Sequence, residues 1–200
     1  MREEDSILPA SVLPDMPMLW HRSYRADPRV LALANRHYNR QNPDSKQFVP
    51  PGSCLVLASA PSQHEEADAL WVTLAPKAEY VQHEWAGAWS CTLFRNESVI
   101  LSSDLIRQAV AATVWKYGSP PPQGFITFVD RTQTRPKKHP GFCYIMAGWH
   151  PCGRTKDRGL YAFRLGPGEM PPSLEPLPPL RPLGELPMFN DYRRPLLTAK

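Results

Sequence analysis

Residues 124–165, GFITFVDRTQTRPKKHPGFCYIMAGWHPCGRTKDRGLYAFRL, govern how the rest of the chain is read. Gly124–Val129 is a β-rich apolar run, and Asp130 stops it. Arg131–Lys138 is polar and cationic. Pro140 and Gly141 restart the chain into a short aromatic helix, Phe142–Trp149, and Leu160–Leu165 alternates like a half-buried strand. The order predicts an α/β unit with an acid at the C-terminal end of a strand, where such sheets place functional groups.

Working outward, Asp27-Pro28 is a helix start: an N-cap acceptor followed by proline in the first turn. Val30, Leu31, Leu33, Ala34 and Tyr38 share one face of this helix, which is expected to stop near Asn39–Asn42. A turn-rich loop follows, closed by Pro50-Pro51. Cys54–Ala60, Ala69–Leu74 and Trp89–Phe94 read as strands. Ser102-Ser103-Asp104 caps a strong helix carrying Leu105, Ile106, Ala109, Val110, Thr113 and Tyr117 on one face, ended by Gly118. Ala75–Gly87 is ambiguous, with Tyr80 and Trp85 placed in a loop over the site. The expected order is helix, three strands, helix, strand, helix, strand, without an internal repeat.

The chain of 200 residues has room for one ordinary domain and a tail. Its net charge of +4 permits an anionic partner without demanding one. Distribution says more: Arg131, Arg135, Lys137, Lys138, Arg154, Lys156 and Arg158 cluster on both sides of the aromatic helix, either as solvated loops or as a polyanion contact. Cys54, Cys91, Cys143 and Cys152 form no CxxC pair and read as reduced thiols. The acidic start MREEDS lacks a secretory h-region, and no apolar run approaches the ~18 residues of a membrane span. The expectation is a soluble, cytoplasmic protein with no membrane partner. Nine of the 24 prolines fall in 166–200, where Leu174, Leu177, Leu180, Leu183 and Leu186 recur with the three-residue period of a polyproline helix. That tail either lies along the domain or is disordered. The partition is thus an irregular arm at 1–24, a catalytic α/β domain at 25–165, and a Pro-rich extension at 166–200.

The element order over roughly residues 25–165 resembles the GNAT superfamily of N-acetyltransferases, which implies a mixed sheet flanked by helices. A more specific likeness is to the phage-type Mom proteins, a divergent branch that hypermodifies DNA adenine. It rests on His37-Tyr38-Asn39-Arg40 with Ser45-x-Gln47-Phe48, on Phe94-Arg95-Asn96-Glu97 leading to Ser102-Ser103, and on Val129-Asp130 with Cys143-Tyr144-x-x-Ala147-Gly148-Trp149. The usual glycine-rich cofactor loop of GNAT enzymes is absent. The resemblance implies that His37, Ser103, Asp130 and Tyr144 surround one cleft, and that an acyl-type (carbamoylmethyl) group is transferred to adenine N6.

The resemblance also implies roles that the chemistry of these side chains allows. Exposed N–H groups where the helix begins at Ser102 and Ser103, with Asn96 beside them, would bind the phosphates of acetyl-CoA or a related acyl donor. His37 is a candidate general base, or a packed helix histidine. Asp130 could assist deprotonation, or be a solvated strand end. Tyr144 would protonate the leaving thiolate, a role suited to a phenol with a pKa near ~10; otherwise it is a core aromatic. Arg40, Arg135, Lys137, Lys138 and Arg154 are the candidate DNA contacts, and Tyr80, Trp85 or Trp149 could stack on an extruded base. The resemblance also raises iron, for which His139 and His150 are remote partners of His37, although no metal ligand is assigned. DNA is the expected partner, and a homodimer is left open. Two rivals stand beside this reading: an ordinary N-acetyltransferase acting on a small amine or protein, and a non-catalytic nucleic-acid-binding or virion-associated protein that keeps the fold.

Overall fold

Continuous apolar runs at Cys54–Ser59 and Ala69–Leu74 pair within a mixed sheet that has helices on both faces. The computed structural model describes residues 10–13, 15–40, 42–63, 65–75, 84–133 and 139–182. Among these, seven strands join: β1 (His21–Ser23), β2 (Cys54–Ser59), β3 (Ala69–Leu74), β4 (Trp89–Asn96), β5 (Phe125–Val129), β6 (His150–Arg154) and β7 (Tyr161–Leu165). Their spatial order is β1-β2-β3-β4-β5-β7-β6, and every neighbouring pair is antiparallel except β4 with β5. The helices are α1 (Pro28–Asn35), α2 (Ser102–Tyr117) and α3 (Phe142–Met146). No helix among the described residues is long and apolar enough to cross a membrane.

The period of two in the strands divides the core into two layers. Leu57, Trp71, Trp89, Cys91 and Phe125 pack with Leu105, Ile106 and Ala109 of α2 and with Tyr144 of α3. Val56, Ala58, Leu70, Val72 and Leu93 point the other way, onto Val30, Leu33 and Ala34 of α1. Each fully buried aliphatic side chain contributes about 1.5–3 kcal/mol, so both helical layers are held by the sheet rather than by their own propensity. Helix α1 starts where the sequence signals: Asp27 Oδ1 accepts from the Arg29 N–H at 2.9 Å, with Pro28 at the first position. It ends at Asn35, short of the expected stop, and Arg36 caps it.

Two strands escape sequence reading for the same reason. β1 is three half-buried residues, His-Arg-Ser, and β6 is His-Pro-Cys-Gly-Arg with only Cys152 even partly covered. Both are edge strands, where neighbours and not apolar periodicity provide the pairing. The span read as an irregular arm therefore ends in a strand. Before it, Leu19 and Pro17 bracket Gln108: the Leu19 N–H donates to Gln108 Oε1 at 2.9 Å, and Gln108 Nε2 donates to the Pro17 carbonyl at 3.0 Å. Trp20, fully buried, donates from Nε1 to the Leu105 carbonyl at 2.8 Å. This covering explains why α2 is buried nearly all round from Leu105 to Thr113.

Residues 170–182 run extended across α2 and the open edge of β1. The Leu174 N–H donates to the Ala111 carbonyl at 3.2 Å, and the Leu177 N–H to the Trp20 carbonyl at 2.8 Å. The Arg22 N–H returns a bond to the Leu177 carbonyl at 2.9 Å. An edge strand with unpaired N–H and C=O groups is thereby covered by the chain's own backbone.

Candidate functional site

The site lies where the two parallel strands part. β4 and β5 pair only at Trp89–Phe125, Ser90–Ile126 and Cys91–Thr127, after which β4 runs on to Asn96 and β5 to Val129 without pairing to each other. The cause is on the other side of β4. Val72 faces Leu93 and Thr73 faces Cys91, so Thr92 is an extra residue, a bulge that bends β4 and swaps the faces of the residues after it. At the vertex, Thr127 Oγ1 donates to the Cys91 carbonyl at 3.2 Å. The fork opens at the C-terminal ends of the parallel strands, the usual ligand position in α/β sheets.

Two cavities meet in the fork. One, of about 630 Å³, is lined by His37, Cys91, Asn96, Ser102, Thr127, Phe142 and Tyr144, among others. The second, of about 820 Å³, is enclosed by Arg40, Asn42, Ser45, Gln47 and Phe48 of the loop after α1, and by Arg158. Tyr38, Asn39, Thr92 and Leu93 line both.

Tyr144 stands on α3 because Gly141, at φ +74°, turns the chain into the helix where any Cβ would sit 2.4 Å from the Phe163 ring. Its hydroxyl lies 3.6 Å from Cys91 Sγ, and its ring packs edge-on to Phe94 and Trp149. Burial, then the neighbouring thiols of Cys91 and Cys143, hold the phenol well above its ordinary pKa, so it stays protonated. Burial likewise pushes the Cys91 thiol up to about 12, which makes it an inert wall of the cleft and not a nucleophile.

His37 lines the same cavity as Tyr144, but in a form unlike the expected base. It is 9% exposed, and its Nδ1 accepts from the Asn39 N–H at 3.2 Å. Burial, reinforced by the Arg95 charge, lowers its pKa to about 4 against a hydrogen bond to the Phe94 backbone. A neutral imidazole with both sides engaged is a poor proton acceptor. It is well suited to fixing the turn after α1 against β4.

Asp130 is not brought to Tyr144. Alternation along β5 places Ile126 and Phe128 on the face of Trp85, opposite the Thr127 side chain that meets Tyr144, and Asp130 follows their parity. Its carboxylate accepts from the Thr132 N–H at 2.9 Å and Thr132 Oγ1 at 2.6 Å, and pairs with Arg158 at 3.5 Å. Asp130 therefore closes a turn and weakly anchors a wall of the second cavity. Deprotonation by His37 or Asp130, as expected from sequence, finds no support in this arrangement.

Asn96 and Ser102 reach the cleft together. Asn96 Nδ2 donates to the Ile100 carbonyl at 2.8 Å and to Ser102 Oγ at 3.0 Å, while its Oδ1 accepts from the Ser98 N–H and hydroxyl at 2.9 and 2.7 Å. This side chain shapes the β4–α2 loop. Helix α2 starts at Ser102 without any side-chain cap, the residue before it being Leu101. Ser103 is not among the residues lining the cavity. Asp104 turns to Arg107 at 3.1 Å, so its charge is paired along the helix.

Of the proposed DNA contacts, Arg40 borders the second cavity, but its guanidinium is spent on Asn35 Oδ1, the Gln47 carbonyl and the Ser45 carbonyl. Arg154 lies over the Tyr161 ring at 4.3 Å. Arg135, Lys137, Lys138 and Tyr80 lie outside the described residues. Trp149 is a core residue, 1% exposed, and Trp85 is buried as well. Among the described residues no three His, Cys, Asp or Glu side chains gather to hold a metal ion, and His150 pairs instead with Glu169 at 2.9 Å. The sequence singled out His37, Asn96, Ser102 and Tyr144 of the first cavity. It gave Tyr38 and Asn39 only a supporting part, and nothing in the local pattern at Cys91-Thr92 or Thr127 marks a fork. No family model, no curated protein and no solved structure matches this chain.

Proposed function

We propose that this protein is a GNAT-like, Mom-like transferase that moves an acyl-type group onto the exocyclic nitrogen of adenine in DNA. The observation that carries the reading is the pair of cavities in the fork between β4 and β5, which share Tyr38, Asn39, Thr92 and Leu93 and so give a donor and an acceptor adjoining chambers. The strand order, the single parallel pair and the bulge in β4 support the architectural part.

For the donor, the uncapped start of α2 with Ser102 and its partner Asn96 fits the phosphates of acetyl-CoA or a related thioester. When bound, such a donor supplies an activated carbonyl. Tyr144 gives its proton to the departing sulfur as the C–S bond breaks and the C–N bond forms, and takes back, through cleft water, the proton that the amine sheds. His37 positions the Tyr38–Asn39 turn and transfers no proton. For the acceptor, Asn39, Asn42 and Gln47 line the second cavity, each with one carboxamide atom already bonded within the protein at 3.1–3.3 Å, and their remaining polar atoms are the groups proposed to meet the edge of a planar base.

Nucleoside mass spectrometry of DNA from cells expressing the wild type and Tyr144→Phe tests the proposal. We expect a modified adenine with the wild type, and a yield about 10²–10⁴ lower with the variant while the protein stays folded. Unmodified DNA in wild-type cells would refute the function. Equal yields from both proteins would make Tyr144 a core aromatic.

A further inference from the structure

Tyr38 ties the turn after α1 to β5, and nothing in the proposed chemistry uses it. It follows α1 by three residues, and its ring stacks on His37 at 4.4 Å and 25°. Its hydroxyl donates to the Phe128 carbonyl at 3.3 Å and accepts from the Asp130 N–H at 3.4 Å. Those are two groups on the β5 edge that would be offered to β4 if the strands had stayed together. The next residue does the same for the other prong, since Asn39 Nδ2 donates to the Thr92 carbonyl at 3.3 Å. The turn after α1 thus stands in for the missing ladder.

We propose that the Tyr38 ring is a septum that separates the two cavities and decides whether an activated donor meets its acceptor or water. The geometry is specific. Among the described residues Tyr38 is one of four, with Asn39, Thr92 and Leu93, that line both cavities. Thr92 and Leu93 belong to the fixed strand β4, and Asn39 is largely exposed, which leaves Tyr38 as the half-buried side chain standing in the gap. Tyr38 and the buried Cys91 line the same first cavity. The bonds that hold it are long: 3.3 Å from its own hydroxyl against a usual range of about 2.5–3.0 Å for O–H donors, and 3.4 Å from the Asp130 N–H against about 2.7–3.2 Å for N–H donors. The partition is therefore carried by the ring, and the hydroxyl only trims its position. Tyr38 is a positioning residue: it keeps water of the acceptor side from attacking the activated carbonyl and touches no reacting atom. The assignment of donor and acceptor to the two sides rests on the transferase reading; the partition itself does not.

The test uses Tyr38→Ala and Tyr38→Phe in the full chain, each checked for folding by thermal melting. The first readout needs no activity: the rate of Cys91 alkylation by iodoacetamide, followed by peptide mass spectrometry. Opening the septum rehydrates the thiol, and each unit by which its pKa falls raises the reactive thiolate fraction about tenfold. Alkylation at least about tenfold faster in Tyr38→Ala, with Tyr38→Phe close to wild type, is the expected result. An unchanged rate in the alanine variant, or an equal rise in the phenylalanine variant, overturns the septum. The second readout is acetyl-CoA hydrolysis relative to transfer onto a duplex oligonucleotide. That ratio should rise in Tyr38→Ala and return in Tyr38→Phe, and a ratio insensitive to both variants overturns the role in excluding water. Faster Cys91 alkylation with no transfer by the wild type leaves the septum standing and removes the transferase.

Discussion

His37 is the residue whose chemistry the fold changes most, and its burial has a measurable price in acid. Free histidine protonates near 6.5, whereas His37 is held to about 4 by burial and by Arg95. As pH falls the unfolded chain takes up the proton first, so stability present above about 6.5 is lost on the way down and the loss levels off below about 4. With each unit worth about 1.36 kcal/mol, the full loss is about 3 kcal/mol, of which about 2 kcal/mol has gone by about pH 5. Arg36 and Glu97 also border this corner, Glu97 bridging Arg36 at 2.6 Å and Arg95 at 2.6 Å. Carboxylates titrate in any variant, so the comparison must be differential. His37→Gln retains an amide able to accept from Asn39 and donate to the Phe94 carbonyl, but cannot titrate. Urea unfolding of both proteins at about pH 7.5 and about pH 5 gives the difference directly. We expect the wild type to lose about 2 kcal/mol relative to the variant between the two conditions. A difference constant to within about 0.5 kcal/mol would mean that His37 is hydrated or paired with an anion, and the account of the α1 turn would be wrong.

Two further outcomes test the packing that frames the site. Gln108→Ala leaves the Leu19 N–H and the Pro17 carbonyl without their buried partner, which should cost about 1–3 kcal/mol and expose the segment before Trp20 to proteolysis; undiminished stability and protection would show that this segment is held by apolar contact alone. At Gly148, φ is +86° and a Cβ would lie 2.5 Å from the Ala10 side chain, so Gly148→Ala should lower stability by about 1–3 kcal/mol; an unchanged melting temperature would contradict the docking of residue 10 on the turn after α3.

Local signals accounted for much of the fold and for about half of the candidate site. Asp27-Pro28 starts a helix because the acceptor and the missing N–H act within one turn, and α2 and the strands at 54–59, 69–74 and 125–129 follow from apolar periodicity alone. Tyr144 and Asn96 were readable as polar or aromatic residues at element ends. The tertiary structure decided the rest. Whether β4 and β5 stay paired depends on a single extra residue, Thr92, counted against β3, and that count is invisible until the strands are in register. The parity that carries Asp130 away from Tyr144 and the burial that disarms His37 depend equally on neighbours distant in the chain. Residue type and spacing state what a side chain can do; which face it takes, and how much water it keeps, are set by contacts between segments that sequence order does not bring together.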